Sequence, residues 1–454
     1  MEPRSTNEQH THPYQLQNSK MWQPKDLILI AVSLCVLACT VAGDEAGGRP
    51  LMMAVSKDAA TSLYTVPIKS GRPMVLDLSG PIIWSTCDDD GASHDTLECN
   101  DMDCMRAHRF HPPNCPHNGN GMPDAGNTHR CKCTAHPHNP VSGDTASGDM
   151  TRVTLSANAT DGRNPLGPVA FTAVTSCAPD SLLAGLPVGA VGVAGLGRSG
   201  IAFPAQVART QGVPKSFALC LGSRQTTGVA IFGGGPLFLF PASRPSLTEL
   251  LSSGTPLRKH GESPGYYVSA SRGVFVDGAQ VPLEDSYARL TVGFSTTTAY
   301  AQLRRDVYRP LIDAFEQAME EQAAGARVPS SSPAAAPFEL CYNSSKLGQT
   351  RSGFPVPTVS FRLEGGTSWL VQGVNSMLVV NGGATACFAF VEMKEGDKAG
   401  YATGGGSAPA VVLGGLQMEE NLVVFDEEKQ TMAFTGQING RGFFCNNFNF
   451  TVPA

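Results

Sequence analysis

From Leu51 onward the apolar residues fall in short segments, SLYTVPI, PMVLDLSG, TRVTLSAN, PVAFTAV and GVAIFGG, separated by Gly, Pro, Asn and Asp. Short alternating or apolar runs cut by breakers predict many short strands. The composition of the 454 residues agrees, with 49 Gly, 33 Pro, 41% hydrophobic and 16% charged residues. That balance suits a loop-rich, mostly β globular protein rather than a disordered or coiled-coil one. The length predicts two or three domains.

One stretch departs from the pattern. Between Arg305 and Gly325, Val307, Leu311, Ile312, Phe315 and Met319 share one helical face, while Glu316, Glu320 and Glu321 lie off it. Pro310 sits near the first turn of this predicted helix, where proline does least harm. Two segments, Ala218 to Gly235 and Val411 to Phe434, echo each other by running from an apolar strand into Gly-Gly. The echo predicts a duplicated two-lobe architecture with its joint near Pro236 to Ser246. The expected division is a leader and signal peptide over 1–43, an N-terminal lobe over 44–240 and a C-terminal lobe over 241–454. A polar insertion at about 88–149 lacks apolar periodicity and reads as a stapled loop rather than core.

Net charge of -6 and a pI near 5.9 provide no basic field for phosphates or anionic lipid, so nucleic acid is excluded as a partner. Leu27 to Ala42, behind Lys20 and Lys25, is an apolar run too short for a comfortable span and fits a secretory signal cleaved near Gly43. Met21 is an alternative start. No stable membrane association is expected after cleavage. Cys35 and Cys39 leave with the signal, and eleven cysteines remain: Cys87, Cys99, Cys104, Cys115, Cys131, Cys133, Cys177, Cys220, Cys341, Cys387 and Cys445. In an oxidising compartment they allow five disulfides and one spare thiol, with connectivity open. Sequons at Asn158, Asn343 and Asn449 are candidate glycosylation sites.

His94, His108, His111, His117, His129, His136 and His138 crowd the insertion beside its cysteines. Thiolate and imidazole suit zinc, yet no CxxC with matching partner spacing is present and disulfides consume thiolates first. These histidines therefore read as solvated loop residues. No metal and no cofactor are expected.

The stretches Val75 to Cys87 (VLDLSGPIIWSTC), Gly192 to Ala208 and Val411 to Asp426 resemble the pepsin-like aspartic peptidase fold, with two β-barrel-like lobes and a few short helices. Ser62 to Ile68, Asn139 to Gly143, Ala230 to Pro236 and Arg304 to Phe315 are similar to the plant TAXI-type xylanase inhibitors, xyloglucanase-inhibitor proteins and basic seven-S globulins. In the fold's peptidases, two facing aspartates share one proton and activate a water. Here the resemblance places Asp77 at the first position, with Leu78 and Ser79 in place of the hydroxyl residue and glycine. It places Ser295 at the second, followed by Thr296, Thr297 and Thr298. The nearby Asp285-Ser286 reads as a surface hairpin. Asp77 is thus expected to be a vestige that titrates as an ordinary carboxylate. Met150 to Gly162, the candidate for the hairpin covering the site, lacks the usual tyrosine. Asp144-Thr145 stand where relatives carry a further cysteine, which accounts for the odd count.

The resemblance implies a secreted, non-enzymatic protein of the apoplast or cell wall, and with no heptad or self-complementary stretch a monomer is the default expectation. Its implied partner is a microbial glycoside hydrolase, an endoxylanase or xyloglucanase, bound in plant defence. A blocking loop must bring a cationic or hydrogen-donating group to two carboxylates about 5–5.5 Å apart. The loop before the last cysteine, GQINGRGFFC, carries Asn439 and Arg441, and the resemblance adds Thr297 and Thr298 from the loop at the second acid position. Phe443 and Phe444 read as core anchors of the last strand. The alternatives are a non-inhibitory binding or storage globulin and a residual aspartic endopeptidase.

Overall fold

An alternating strand has one face to bury, and in this protein most such faces close over a core shared by both halves of the chain. The computed structural model describes residues 48–87, 95–110, 131–223, 226–240, 245–271, 273–283, 289–329, 335–394 and 408–451. The expected leader, Asp285-Ser286, Cys115 and four of the insertion histidines lie outside those residues.

The same strand unit occurs twice. Arg72–Asp77 runs parallel to Gly192–Gly195, and Ile83–Thr86 lies antiparallel on the other side of that strand. In the second half, Leu290–Phe294 runs parallel to Val411–Leu413, flanked by antiparallel Ala301–Leu303. Each unit then adds a parallel neighbour, Pro165–Ala178 in the first and Phe390–Glu392 in the second. The segments that echo each other in sequence also meet. Ser216–Cys220 pairs antiparallel with Asn421–Asp426, with Gly228–Phe232 and Thr431–Gln437 as outer neighbours. Phe217 and Phe425 stack across this junction with ring centres 5.1 Å apart, and the Tyr266 ring lies 4.4 Å from Phe425. The junction is therefore core, and Arg49–Ala454 forms one compact unit.

The long helix spans Arg305–Gln322 and buries Val307, Tyr308, Leu311, Ile312, Phe315 and Met319, the expected face with Tyr308 added. Pro310 is the sixth residue of the helix, past the first-turn N–H groups that lack intrahelical acceptors, so the helix forgoes one bond to the Asp306 carbonyl there and continues. Among the described residues no helix is long and apolar enough to cross a membrane.

Five disulfides join Cys87 to Cys177, Cys99 to Cys131, Cys104 to Cys133, Cys220 to Cys445, and Cys341 to Cys387. The insertion is less loop-like than its polarity suggests. Leu97, Cys104, Ala107, Cys133 and Ala135 pack with Trp84 and Met150 in a second apolar cluster. His138 is also buried, contrary to the solvated reading. Its Nδ1 lies 3.0 Å from Thr145 Oγ1, and burial pushes its pKa down to about 4. The disulfides supply the apolar surface that the sequence lacks, which is why periodicity did not reveal this cluster.

The floor of the first unit is packed backbone against backbone. A Cβ at Gly195 would lie 2.2 Å from the carbonyl oxygen of Ile82 and 2.5 Å from that of Gly80. Gly195→Ala is expected to cost about 3 kcal/mol through forced separation of these strands, and urea unfolding measures it.

Candidate functional site

The site forms where the two units face each other. Asp77 ends its strand, and the chain turns at once: the Gly80 N–H donates to the Asp77 carbonyl at 3.1 Å, and Leu196 N–H does so at 2.7 Å. The Ser79 N–H reaches the carboxylate oxygen Oδ1 at 2.8 Å. Only glycine fits the next position, because a Cβ on Gly80 would stand 2.8 Å from the Gly195 Cα and 3.0 Å from Asp77 Oδ2. Leu78, where a hydroxyl residue was expected by analogy, points into the main core.

Asp77 is only 2% exposed. Burial raises its pKa to about 6, against the lowering effect of the Ser79 and Gly80 N–H groups. This corrects the expectation of an ordinary carboxylate. The expectation considered only the absence of a charged partner, whereas desolvation alone disfavours the ionised form. No charged side chain among the described residues contributes to the shift.

The facing loop follows Phe294. Matching the two units by Gly195 and Gly414 sets the pair Leu76–Ala194 against Phe294–Leu413, so Ser295 leaves its strand as Asp77 leaves its own. The Ser295 hydroxyl turns onto its own loop, accepting from the N–H groups of Thr297 at 3.2 Å and Thr298 at 3.1 Å. Thr296 makes the cross-link: its hydroxyl donates to the Leu76 carbonyl at 2.6 Å and accepts from the Leu78 N–H at 3.2 Å. In a symmetric site a second hydroxyl would return this grip, and Leu78 cannot.

A third element covers the Asp77 turn. Arg198 N–H donates to the Pro264 carbonyl at 2.7 Å, and a Cβ on Gly265 would lie 3.2 Å from Ser79 Oγ. Tyr267 follows, its hydroxyl 2.7 Å from Ser263 Oγ and its ring 4.9 Å from His260. Burial raises the Tyr267 pKa, the Ser263 hydrogen bond lowers it, and the Asp77 charge raises it. The sequence reading missed Tyr267; the Pro264-Gly265-Tyr266-Tyr267 run was its only local signal. Met150 to Gly162, considered as the covering hairpin, falls in the strand Gly148–Thr160, paired along Pro165–Ala178 and onto Leu51 and Met52.

The other predicted residues lie apart from Asp77 in the sequence, on several different elements. Asn439 faces inward: its Nδ2 donates to the Arg351 carbonyl at 3.4 Å and its Oδ1 accepts from Gly440 N–H at 2.8 Å, so it holds the turn. Arg441, in the same short turn, is exposed. The two phenylalanines divide, Phe443 into the core and Phe444 outward at 43% exposure, which corrects the core reading of the latter. The Cys445 disulfide to Cys220 and the Cys445 N–H bond to Glu420 Oε2 at 2.8 Å anchor this loop. Of the sequons, Asn158 is half-buried in a strand and its partner Thr160 is buried. Asn343 caps a short helix through Ser345 N–H at 3.0 Å, and Asn449 bonds Asn164.

Among the described residues Asp77 faces the hydroxyls of the Ser295–Thr298 loop, and no second carboxylate is among the causes of its shift. The raised pKa has a thermodynamic consequence. The folded state holds a proton on Asp77 that the unfolded chain, near 3.8, has already lost. The stabilisation is complete below about pH 4 and is lost as pH rises through ~6. Buried Glu419 and Glu427 shift upward for the same first reason and add in the same sense. Asp77→Asn keeps the hydrogen-bond acceptor and is expected to stabilise the chain at neutral pH by about 2–3 kcal/mol, with little gain in acid. Urea unfolding across that range checks it.

The family model described as "Xylanase inhibitor N-terminal" matches residues 64–234, and "Xylanase inhibitor C-terminal" matches residues 265–436. A rice (Oryza sativa subsp. japonica) protein named "Chitinase CLP" is 54% identical over 435 residues, spanning 94% of this chain and 99% of the relative. The crystal structure of "edgp" is 28% identical with a TM-score of 0.74, covering 89% of this chain and 98% of that one. The soybean "Basic 7S globulin" structure is 26% identical with a TM-score of 0.69, covering 89% of this chain and all of the other. A two-unit β architecture with family models matched in both halves, and a relative 54% identical along almost its whole length, place this chain in the TAXI-type xylanase-inhibitor family of the pepsin-like aspartic peptidase fold.

Proposed function

We propose that this protein is a secreted, catalytically inactive aspartic-peptidase-like protein that binds and inhibits microbial cell-wall glycoside hydrolases, an endoxylanase or a xyloglucanase, in plant defence. One observation carries the reading. The framework of the peptidase site is kept, down to the Thr296 hydroxyl joining the two loops, while Ser295 offers a neutral hydroxyl where the second acid would stand. The fold's rigidity survives without its chemistry, which suits recognition. Both family models carry the xylanase-inhibitor description, and five disulfides suit an oxidising, extracellular setting. The contact group is Arg441, whose planar fork matches a carboxylate and which stands exposed on a loop tethered by Cys445. Thr297 and Thr298 supply hydroxyls from the other loop, and the protein acts as a monomer.

Reducing-sugar release by a panel of xylanases and xyloglucanases is expected to fall when this protein is added, and Arg441→Ala is expected to weaken inhibition by ~10-fold or more. An unchanged panel sinks the inhibitor reading and leaves a non-inhibitory binding globulin. Pepstatin-sensitive proteolysis at acid pH would restore the peptidase.

A second reading is hydrolysis of chitin, favoured by the name of the rice relative and by the raised pKa of Asp77, which is near that of a glycosidase general acid. It requires a second carboxylate about 5–10 Å away and an open cleft, and Asp77 is buried. Chito-oligosaccharides are therefore expected to remain intact; cleavage that disappears in Asp77→Asn would establish the reading instead.

A further inference from the structure

The insertion holds a donor set that the inhibitor reading does not use. The helix Met102–Ala107 carries Cys104 on its buried side and ends at His108, one turn further along. Across from it, Cys133 and His136 flank the short strand Thr134–Ala135. The sulfurs of Cys104 and Cys133 and a ring nitrogen of His108 lie within 4.8 Å of one another. The His136 ring centre is 6.3 Å from that of His108. Two thiols and two imidazoles, supplied as Cys-x3-His and Cys-x2-His, form the donor composition of a closed tetrahedral zinc site. In the oxidised chain the two sulfurs are bonded to each other and cannot serve as ligands.

We propose that this cluster is a zinc site unmasked by reduction: a dithiol opens the Cys104–Cys133 bridge, and Cys104, His108, Cys133 and His136 then bind Zn²⁺. The dithiol passes two electrons and two protons to the bridge and closes into its own disulfide. The two thiols so formed release two protons to solvent as the ion binds.

The scaffold supports this because backbone ladders and ion pairs hold the ligand positions alongside the bridge. Cys133 is fixed in a ladder, its N–H donating to the Leu97 carbonyl and its carbonyl accepting from Met150 N–H, both at 2.8 Å. The helix is capped by Asp101, which accepts from Asp103 N–H at 2.8 Å. Asp103 pairs with Arg106 at 2.6 Å and with Arg209 at 3.1 Å, and Arg209 belongs to the helix Phe203–Gln211 in the body of the lobe. Arg152 adds ion pairs to Asp95 at 3.4 Å and Asp101 at 3.0 Å. None of these contacts involves the bridge sulfurs. The bridge itself is local, linking positions 29 residues apart within the insertion, whereas Cys87–Cys177 and Cys220–Cys445 tie distant strands. Zn–S bonds of about 2.3 Å and Zn–N bonds of about 2.0 Å set ligand separations near 3.3–3.8 Å. After opening, the sulfurs move apart to about 3.8 Å, and the His108 nitrogen, within 4.8 Å of them, closes by up to about 1.3 Å.

The test uses the full chain treated with graded amounts of a phosphine reductant, with alkylation and mass spectrometry identifying which bridge is open. Co²⁺ is the probe, since a tetrahedral thiolate site gives intense visible absorption. The expected result is that this absorption develops in step with opening of Cys104–Cys133, is bleached by Zn²⁺, and is absent from the oxidised chain. His108→Ala/His136→Ala is expected to weaken Co²⁺ binding more than ~10-fold while its oxidised form keeps the wild-type circular dichroism. The proposal is overturned if the fold is lost before this bridge opens, if no tetrahedral spectrum develops, or if the spectrum persists in the double-histidine variant. Loss of the spectrum in Cys115→Ser overturns it too, because the ligands would then lie elsewhere.

Discussion

One hydroxyl joins the loops of the two halves beside Asp77. Thr296 Oγ1 donates to the carbonyl of Leu76 and accepts from the N–H of Leu78, satisfying two backbone groups that flank Asp77. Buried backbone polar groups without partners are costly, so this contact fixes how the second unit meets the first. The close backbone approach of Gly80 and Gly195, and the placing of Pro264 and Gly265 over the turn, follow from the same register. The arrangement is one-sided. Leu78 enters the core where a hydroxyl could have bonded back, so the first loop gains apolar burial and gives up symmetry.

Burial sets the electrostatics of the centre. Asp77 is held away from water with no charged side chain of the described residues among the causes of its shift, so its pKa rises to about 6 and it keeps its proton into mildly acid solution. Other buried acids are compensated directly. Glu419 lies 2.6 Å from the Lys57 ammonium and accepts from the Tyr64 hydroxyl at 2.8 Å. Glu427 lies 2.8 Å from Lys215 and accepts from Tyr266 at 2.9 Å. These pairs link strands distant in sequence, so the junction between the units is stitched by charge as well as packed by Phe217 and Phe425. Among the described residues the Asp77 carboxyl is met by the Ser79 and Gly80 N–H groups rather than by a cation.

The periphery obeys a different constraint. The insertion has too few apolar residues to make a core of its own, and covalent bridges with ion pairs do that work. The loop before Cys445 is treated likewise. Asn439 and Phe443 turn inward to hold it, so that Arg441 and Phe444 are presented from a fixed base. Rigidity of this kind lowers the ordering cost of binding, which is what a recognition surface needs.

The amino-acid sequence by itself determined the strand-rich class, the long helix and its buried face, and the duplicated two-unit plan. These features rest on local periodicity and residue chemistry, which are written along the chain. Tertiary structure alone decided which cysteines pair, that His138 and part of the insertion are core, that Phe443 and Phe444 part company, and that Tyr267 stands near Asp77. It also decided the state of Asp77, because a carboxyl's preference for its proton depends on how much water surrounds it. Solvation is a property of the packed neighbourhood, assembled here from residues more than two hundred positions apart, and no local pattern encodes it.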